Sequence, residues 1–274
     1  MSTITAADVQ SLRKRTGLPL MDCKKALAEA DGDPELAIRK LRERGNQILS
    51  TRGERETSFG RFGIYTGSNV GTMVELKCES APVAQNEEFV QLAADLACQL
   101  ATGPGAATAE ELLSQPSPSK KGTTLAEQKD ELFNRMREVF QVGRMVRYDG
   151  PCGSYEHTGA RVHGVLLEAT GDATLLKDIC MHIAALNPSA LTRDTLDPEE
   201  IAREREILKA AALKEGKPEA IVDKMVEGRL QNFYAERVLT EQEFVKSQDK
   251  KTVGEFAKDH GITLKRYAHW ILGG

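Results

Sequence analysis

Apolar and polar positions follow one order of elements in two separate stretches of the chain. In the first stretch, residues 63–101, the pattern predicts a β-hairpin around the turn-forming residues Gly67-Ser68-Asn69 and then an amphipathic helix. Asn86 is placed to cap this helix, and acidic residues follow in its first turn, where the helix dipole favours them. The apolar positions that carry the pattern are Tyr65, Met73, Val74, Leu76, Phe89, Ala93, Leu96 and Leu100.

The same order returns at residues 154–188. Two hairpin–strand–helix units predict an α+β fold with a duplicated core. The joint between strand and helix is longer in the first copy, at residues 78–85, than in the second, so it is the better candidate for a working surface. The second copy consists of Tyr155, a turn at Gly159, the strand Val162–Leu167, the cap Asp172, the helix positions Leu175, Ile179 and Ile183, and the stop Pro188.

Residues 5–45 predict three short helices that form a compact unit with a small core. Gly17 ends the first helix, and Pro34, at a favoured first position, begins the third. The tight turn between the first two helices carries Leu20 and Met21, for which two interpretations stay open. They either complete the small core or form an exposed contact patch, to which the adaptable methionine side chain is suited.

The remaining segments predict further helices and strands. Residues 46–56 indicate a linker or an extension of the third helix. The segments Pro198–Leu213 and Glu219–Leu239, broken at Gly216-Lys217-Pro218, favour an inserted antiparallel helical hairpin that projects in part from the body. The other predicted elements are a short helix capped by Thr108, a helix over Leu125–Val142, a strand over Arg144–Tyr148, a helix from Val253 to His260 and a strand over Ile262–Leu272.

These elements predict an α+β fold divided into five segments. Each segment corresponds to one structural unit or to one part of the duplicated core. The segments are a three-helix module at 1–50, the N-terminal half of the core with its linker at 51–124, the C-terminal half of the core at 125–196, the coiled-coil-like helical hairpin at 197–247, and a C-terminal helix and strand that complete the core at 248–274.

The bulk composition limits the classes of function. The 274 residues carry a formal net charge of −4, which argues against broad binding to nucleic acid or to anionic membranes. No apolar run is long enough to span a bilayer, and Met1-Ser2-Thr3-Ile4 begins no signal peptide. The five cysteines form no C-x-x-C pair, which favours reduced thiols and a cytoplasmic location.

Residue types suited to catalysis are present, but they form no recognisable pattern. Cys78 with His157, His163 or His182 supplies a thiol and an imidazole without the context of a cysteine hydrolase. Cys78 ends an apolar strand and is expected to be buried and inert. His157 and His163 lack a third metal ligand, and no phosphate-binding loop precedes a helix. The sequence therefore predicts a binding protein with no catalytic residue, metal or cofactor.

Several long segments carry a family likeness. They are LRKRTGLPLMDCKKALAEADGDPELAIRKLRERG, GARVHGVLLEATGD, DICMHIAALNP, GKPEAIVDKMVEGRLQNFYAERVLTEQEFV and KTVGEF. In this order they resemble the bacterial elongation factor Ts family. The resemblance implies a module like the ubiquitin-associated (UBA) domain, a duplicated core and a projecting helical hairpin. It also implies a partner, the GTPase elongation factor Tu, and a function, the release of GDP so that the GTPase can be reloaded with GTP.

The resemblance further implies contact residues. The family has a Thr-Asp-Phe motif, whose phenylalanine wedges into the GTPase near the magnesium and phosphate site. The matching residues are Ser80, Ala81 and Pro82, followed by Val83. Ser80 keeps the hydroxyl, but Ala81 lacks the carboxylate and Pro82 lacks the aromatic ring. The other implied contact candidates are Arg13, Leu20, Met21 and, matching the histidine of the family's Met-His motif, His182.

The departures in this motif keep two other functions open. One is a diverged homologue that binds the GTPase without efficient exchange. The other is a translation-associated scaffold that uses the helical module to hold another partner. The pattern also leaves two roles for His182, at the margin of an apolar helix stripe: a packing residue with a satisfied hydrogen bond, or an interface residue.

Overall fold

The computed structural model describes residues 4–52, 55–159, 161–215 and 218–273. Within these residues, helices and two three-stranded sheets form the predicted α+β fold. The helices are α1 Ala6–Thr16, α2 Leu20–Glu29, α3 Pro34–Arg52, α4 Ala81–Ala84, α5 Glu87–Thr102, α6 Ala109–Leu113, α7 Leu125–Met136, α8 Ala173–Leu186, α9 Pro198–Lys214, α10 Glu219–Arg237 and α11 Val253–Asp259. The strands are β1 Phe59–Thr66, β2 Gly71–Cys78, β3 Gln141–Tyr148, β4 Cys152–Thr158, β5 Val162–Thr170 and β6 Thr263–Ile271.

The chain divides into two compact units. The first consists of Met1–Tyr65, Thr72–Val146 and Leu272–Gly274, and the second of Thr66–Gly71 and Arg147–Ile271. The N-terminal helices, most of the first sheet and α4 to α7 therefore belong to one unit. The second sheet, α8, the helical hairpin and α11 belong to the other.

The first unit begins with the three predicted helices. Thr5 caps α1, because its hydroxyl accepts a hydrogen bond from the N–H of Asp8 and the Asp8 carboxylate accepts one from the N–H of Thr5. Gly17 ends α1 with φ 69°, a left-handed conformation that costs glycine nothing. The buried core of the three helices consists of Val9, Leu12, Leu18, Cys23, Ala26, Leu27, Ala30, Ala37 and Leu41.

Three predictions fall partly outside the described residues. Because α3 runs to Arg52, residues 46–52 extend the third helix, whereas residues 53 and 54 lie outside the described chain. Gly216 and Lys217, the predicted break of the helical hairpin, also lie outside it. The same holds for the first three residues, on which the signal-peptide argument partly rests.

The first sheet has the strand order β1-β2-β3 and packs on α5. A Cβ atom on Gly63 would lie 1.8 Å from the carbonyl oxygen of Ala93, so the close approach of β1 to α5 requires glycine there. Asn86 caps α5 as predicted, since its side-chain oxygen accepts from the N–H groups of Glu88 and Phe89. The core of this unit includes Val74, Leu76, Cys78, Phe89, Leu92, Leu96, Leu100, Leu132, Phe133 and Phe140.

The helix predicted over Leu125–Val142 is wrong at its C-terminal end, because α7 stops at Met136. Arg137 is left-handed, with φ 62°, and its N–H donates to the carbonyl of Phe133. Phe140 continues the helical spacing but lies beyond the turn, where its ring meets Phe89 edge-on with centroids 5.3 Å apart. The apolar spacing was therefore produced by two different elements that bury their side chains in the same core.

A buried carboxylate on each sheet is neutralised from the neighbouring strand. Glu75 on β2 is 4% exposed and accepts hydrogen bonds from Arg144 Nε at 3.1 Å and Nη2 at 2.7 Å. Burial alone would raise the pKa of Glu75, but the hydrogen bonds and charge of Arg144 outweigh it and lower that pKa. On the second sheet, Glu168 accepts from Arg266 Nε at 2.7 Å and from Lys265 Nζ at 3.1 Å.

The second unit contains an antiparallel sheet of β4, β5 and β6 in that order. Asp172 caps α8 as predicted, because its carboxylate accepts from the N–H groups of Thr174 and Leu175. Asn187 ends α8 in a left-handed conformation with φ 48°, directly before the predicted stop at Pro188. The core against α8 and α11 includes Val165, Leu167, Ala169, Leu176, Ile179, Cys180, Ile183, Leu239, Phe244 and Val253.

Helices α9 and α10 form the predicted antiparallel hairpin. Ion pairs join Arg205 to Glu227 and Lys209 to Asp223, so positions rise along one helix as they fall along the other. The apolar seam between the helices contains Ala212, Val222, Val226 and Leu230. None of the helices in the described chain is both long and apolar enough to cross a membrane.

Candidate functional site

Hydrogen bonds hold the first residues of the joint between β2 and α5 to the segment that follows α7. Ser80 donates from its hydroxyl to Glu138 Oε1 at 2.6 Å and from its N–H to Glu138 Oε2 at 3.1 Å. Glu79 accepts from the N–H of Val139 at 2.8 Å and pairs with Arg55 at 2.9 Å. The hydroxyl that Ser80 shares with the family motif therefore binds within the chain, to the segment that follows α7.

The joint carries a single helical turn, α4, which the sequence analysis did not predict. Ala81 and Pro82 are exposed, Val83 is half-buried and Ala84 is buried. Pro82 lies in the first turn of α4, where its fixed φ and missing N–H are compatible with a helix. Ser80 before Pro82 was the available signal, since serine favours N-cap positions. The joint thus presents a small, stiff apolar surface.

Leu20 and Met21 lie in the first turn of α2 and are exposed, by 46% and 70% respectively. The interpretation that they complete the core of the three helices is wrong, because Cys23, Ala26 and Leu27 are the residues of α2 that fill this core. Arg13 on α1 is also exposed. The first unit therefore displays an apolar patch of Leu20 and Met21, as the contact interpretation requires.

His182 lies in the interior of the second unit and is fully buried. Its Nδ1 accepts from the N–H of Val245 at 3.3 Å, so the ring proton lies on Nε2, which donates to Gln242 Oε1 at 3.0 Å. Burial lowers the pKa of His182, which favours this neutral form, while the Gln242 hydrogen bond acts in the opposite direction. The packing interpretation of His182, with satisfied hydrogen bonds, is confirmed.

The segment held by His182 carries an exposed apolar residue that the sequence analysis missed. Val245 is 52% exposed, although its N–H is bound to the buried imidazole. Lys246 next to it pairs with Asp178 of α8 at 2.6 Å. Asp178 and His182 are one helical turn apart on α8, so the segment of Val245 and Lys246 packs against a single face of that helix. No local periodicity in the sequence distinguishes Val245 from a core residue.

Cys78 has the environment of an unreactive thiol. It is fully buried, as expected, and its Sγ donates to the carbonyl oxygen of Ser80 at 3.3 Å. Burial raises the pKa of Cys78 to about 12, so the thiolate needed for nucleophilic attack is scarce near neutral pH.

Three histidines form a row across the second sheet. His157 on β4 is in register with His163 on β5, with ring centroids 6.1 Å apart. His163 Nδ1 lies 3.1 Å from Nε2 of His269 on β6, and these two rings are stacked. His269, remote in sequence, thus adds a third imidazole ring to the pair of His157 and His163. In the part of the chain that the structure describes, no group of three ligand-type side chains is arranged to hold a metal ion.

We expect the free energy of unfolding to fall as the pH is lowered from about 6.5 towards 4. Burial, and next the neighbouring His163, lower the pKa of His269 to about 4, and burial lowers that of His163. The unfolded chain therefore binds more protons in this range, and the stability present above the unfolded pKa is lost on acidification. Urea unfolding between pH 4 and 8 should show a shallower dependence in His269→Gln than in the unchanged protein. Equal slopes would contradict this role for the pair.

Comparisons with known proteins agree with the resemblance. The profile of the family described as "Elongation factor TS" matches residues 65–274. The chain is 41% identical, over 276 aligned residues, to proteins named "Elongation factor Ts" from Clostridium botulinum strains Eklund 17B and Alaska E43. Each alignment covers 96% of this chain and 90% of the relative.

The chain belongs to the elongation factor Ts family. It is a translation elongation factor that acts on elongation factor Tu as a guanine-nucleotide exchange factor. It is not an enzyme in the covalent sense, since exchange makes and breaks no covalent bond. The family profile begins at Tyr65, near the end of β1, and so spans β2, β3, the joint, the second sheet and the helical hairpin.

Proposed function

We propose that this member of the elongation factor Ts family grips elongation factor Tu through three surfaces. They are the Leu20 and Met21 patch together with the exposed Arg13, the joint of Ser80, Ala81, Pro82 and Val83, and the surface around the buried His182. The observation that carries the proposal is the exposure of Leu20 and Met21, because two exposed apolar side chains on one helical turn are a ready contact for a partner. His182 acts from within, by holding Val245 at the surface.

The domain organisation implied by the family accompanies this proposal. The small core of α1 to α3 supports a UBA-like module. Two three-stranded sheets, each with a helix after its central strand and a carboxylate bound to a third-strand cation, support a duplicated core. On this division the segments are 1–50, 51–124, 125–196, 197–247 and 248–274.

Exchange requires differential binding and no reactive group. If the chain binds the nucleotide-free GTPase more tightly than the GDP-bound form, GDP affinity must fall by the same factor. A bound chain speeds GDP release when it distorts the magnesium and phosphate contacts of the GTPase. In this chain Pro82 would press on that region with a rigid ring in place of the family's phenylalanine.

Release of a fluorescent GDP analogue from elongation factor Tu tests the proposal. The chain at saturating concentration is expected to raise the rate of GDP release. An unchanged rate would contradict the proposal that this chain exchanges nucleotide efficiently. Pull-down of the nucleotide-free GTPase, run in parallel, separates the alternatives. Binding without faster release would indicate a diverged homologue that binds only, and binding by residues 1–50 alone to another translation component would favour a scaffold.

We expect Pro82→Phe to preserve or raise the exchange rate. The substitution restores the family's aromatic wedge on an exposed position of α4, so the fold has room for the ring. The measurement is the GDP release rate at saturating exchange factor, with Pro218→Phe, before α10, as the control for a proline-to-phenylalanine change elsewhere. A fall of tenfold or more for Pro82→Phe alone would contradict a wedge at this position.

We expect His182→Ala to weaken binding to the GTPase by about tenfold while the chain stays folded. The substitution removes the hydrogen-bond partner of the Val245 N–H and of Gln242 Oε1, so the segment that exposes Val245 is held less firmly. Affinity for the nucleotide-free GTPase and circular dichroism are measured together. Unchanged affinity would show that neither His182 nor the segment it holds contributes to the contact surface.

The remaining partner expectations belong to the same proposal. The formal net charge of −4 supports a factor that binds protein and has no direct nucleic-acid or membrane partner. The scattered cysteines support a cytoplasmic location. No cofactor or metal is needed for a mechanism based on binding alone.

A further inference from the structure

The start of the joint and the segment after α7 exchange hydrogen bonds in both directions. The N–H and the hydroxyl of Ser80 donate to the two carboxylate oxygens of Glu138, at 3.1 and 2.6 Å respectively. In return, the N–H of Val139 donates to Oε1 of Glu79 at 2.8 Å. Hydrogen bonds to an ionised acceptor are shorter and stronger than those between neutral groups. The two segments are therefore joined by bonds of the stronger kind from both sides.

The hydroxyl of Ser80 is diverted from the role that its position favours. Ser80 is the N-cap residue of α4, where a serine hydroxyl normally accepts from an N–H of the first helical turn. Here the side chain makes no capping bond and donates to Glu138 instead. The carbonyl of Ser80 accepts from Sγ of Cys78 and from the N–H of Ala84, each at 3.3 Å. Every polar group of Ser80 is thus bound, and the one suited to capping α4 is bound to Glu138.

Glu138 is held in place by its neighbours in sequence. Before it, Arg137 ends α7 in a left-handed conformation, with φ 62°, and its side chain is ion-paired with α2 at 2.6 Å. After it, Val139 and Phe140 are buried in the core of the first unit. A carboxylate between an ion-paired residue and two core residues has little freedom to follow a moving joint. The position of Glu138 therefore sets the position of Ser80.

We infer that Glu138 is a positioning residue for nucleotide exchange. By binding Ser80 it sets the direction in which α4 presents the exposed Pro82, two residues further along the chain. The inference rests on the proposed contact of the joint with the GTPase, and it adds a residue that lies outside the family's motif. Such a residue changes how fast GDP leaves the complex, whereas the exposed Leu20 and Met21 contribute to how tightly the complex forms.

The experiment measures the release of a fluorescent GDP analogue from elongation factor Tu over a range of concentrations of the full chain. It yields a maximal rate and the concentration that gives half of that rate. Glu138→Gln keeps the shape but replaces one acceptor by an NH₂ donor, so the side chain no longer accepts from both groups of Ser80. The maximal rate is expected to fall at least fivefold, while the half-maximal concentration changes less than twofold. Glu131→Gln, a matched change at a carboxylate of α7 that pairs with Lys120, should leave both values unchanged.

Two further readouts separate positioning from a general loss of stability. Amide hydrogen exchange at Ser80 is expected to be at least tenfold faster in Glu138→Gln, because this N–H loses its charged acceptor. Adding Glu138→Gln to Ser80→Ala should lower the maximal rate less than it does in the unchanged chain, since both residues act through one contact. If Glu138→Gln fails to fold, Ser80→Ala alone, which removes the 2.6 Å bond, must lower the maximal rate at an unchanged half-maximal concentration.

Three results would overturn the inference. Unchanged amide exchange at Ser80 would show that Glu138 does not hold the joint. Faster amide exchange with an unchanged maximal rate would show that exchange does not use the orientation of the joint. A higher half-maximal concentration without a lower maximal rate would make Glu138 a contributor to affinity only.

Pro82→Gly in the same assay tests the proposed function separately. If this variant leaves the maximal rate unchanged, the joint is not a working surface and the proposed contact fails together with the inference. If Pro82→Gly lowers the maximal rate and Glu138→Gln does not, the contact stands and only the role of Glu138 fails.

Discussion

Arg144→Met is expected to lower the free energy of unfolding by about 3 kcal/mol. The substitution removes both side-chain hydrogen bonds that Glu75 receives from β3 and leaves a carboxylate that is 4% exposed without its cation. Removing one partner of a buried ion pair typically costs about 3–5 kcal/mol, and the lower value applies because Arg144 itself is 38% exposed. Urea unfolding monitored by circular dichroism at neutral pH measures the change.

Two further variants make this expectation specific. Lys251→Met removes one partner of an exposed ion pair with Asp259 and should lower the free energy of unfolding far less than Arg144→Met does. Glu75→Gln combined with Arg144→Met removes the buried charge as well and should recover part of the loss. A cost below 1 kcal/mol for Arg144→Met alone would show that water reaches Glu75.

Changing Leu20 and Met21 together to aspartate is expected to weaken binding to elongation factor Tu by about 3 kcal/mol, roughly 100-fold. Both side chains are exposed in the free chain, so their loss should leave its stability nearly unchanged. Complex formation buries both positions. Removing a carboxylate from water costs free energy, whereas removing the apolar side chain of Leu20 or Met21 from water is favourable. Titration of the nucleotide-free GTPase, with GDP release in parallel, measures the effect.

Ile207→Asp is the matched control for this pair. Ile207 on α9 is 59% exposed, which is close to Leu20 and Met21, but it lies outside the proposed contact surfaces. Its substitution should change affinity by less than about threefold. Equal losses in the two proteins would mean that added negative charge, and not the position of the patch, causes the effect.

Features fixed by nearby residues were predicted from the sequence. The caps Asn86 and Asp172 each accept hydrogen bonds from N–H groups two and three positions ahead, so a short stretch of sequence contains all the partners. The left-handed end of α1 at Gly17 is equally local. The caps therefore predicted the starts of the two long core helices, α5 and α8, correctly.

Features that depend on remote residues were not predicted. Phe140 continues the spacing of α7 yet lies in the non-helical segment between α7 and β3, because burial against Phe89 does not require helical backbone. The exposure of Met21 depends on which side of α2 the other two helices cover, and local spacing leaves that open. The same limit applies to the candidate site, where Ser80 binds Glu138 across 58 positions of sequence.

The double hydrogen bond between Ser80 and Glu138 determines how the joint responds to load. Glu138 follows α7, and Arg137 beside it is bound to Asp22 of α2 at 2.6 Å. A force applied at Pro82 would therefore reach α2 through the bonds of Ser80 to Glu138 and of Arg137 to Asp22. A joint that is held rigidly in this way can displace parts of a bound GTPase without being displaced itself.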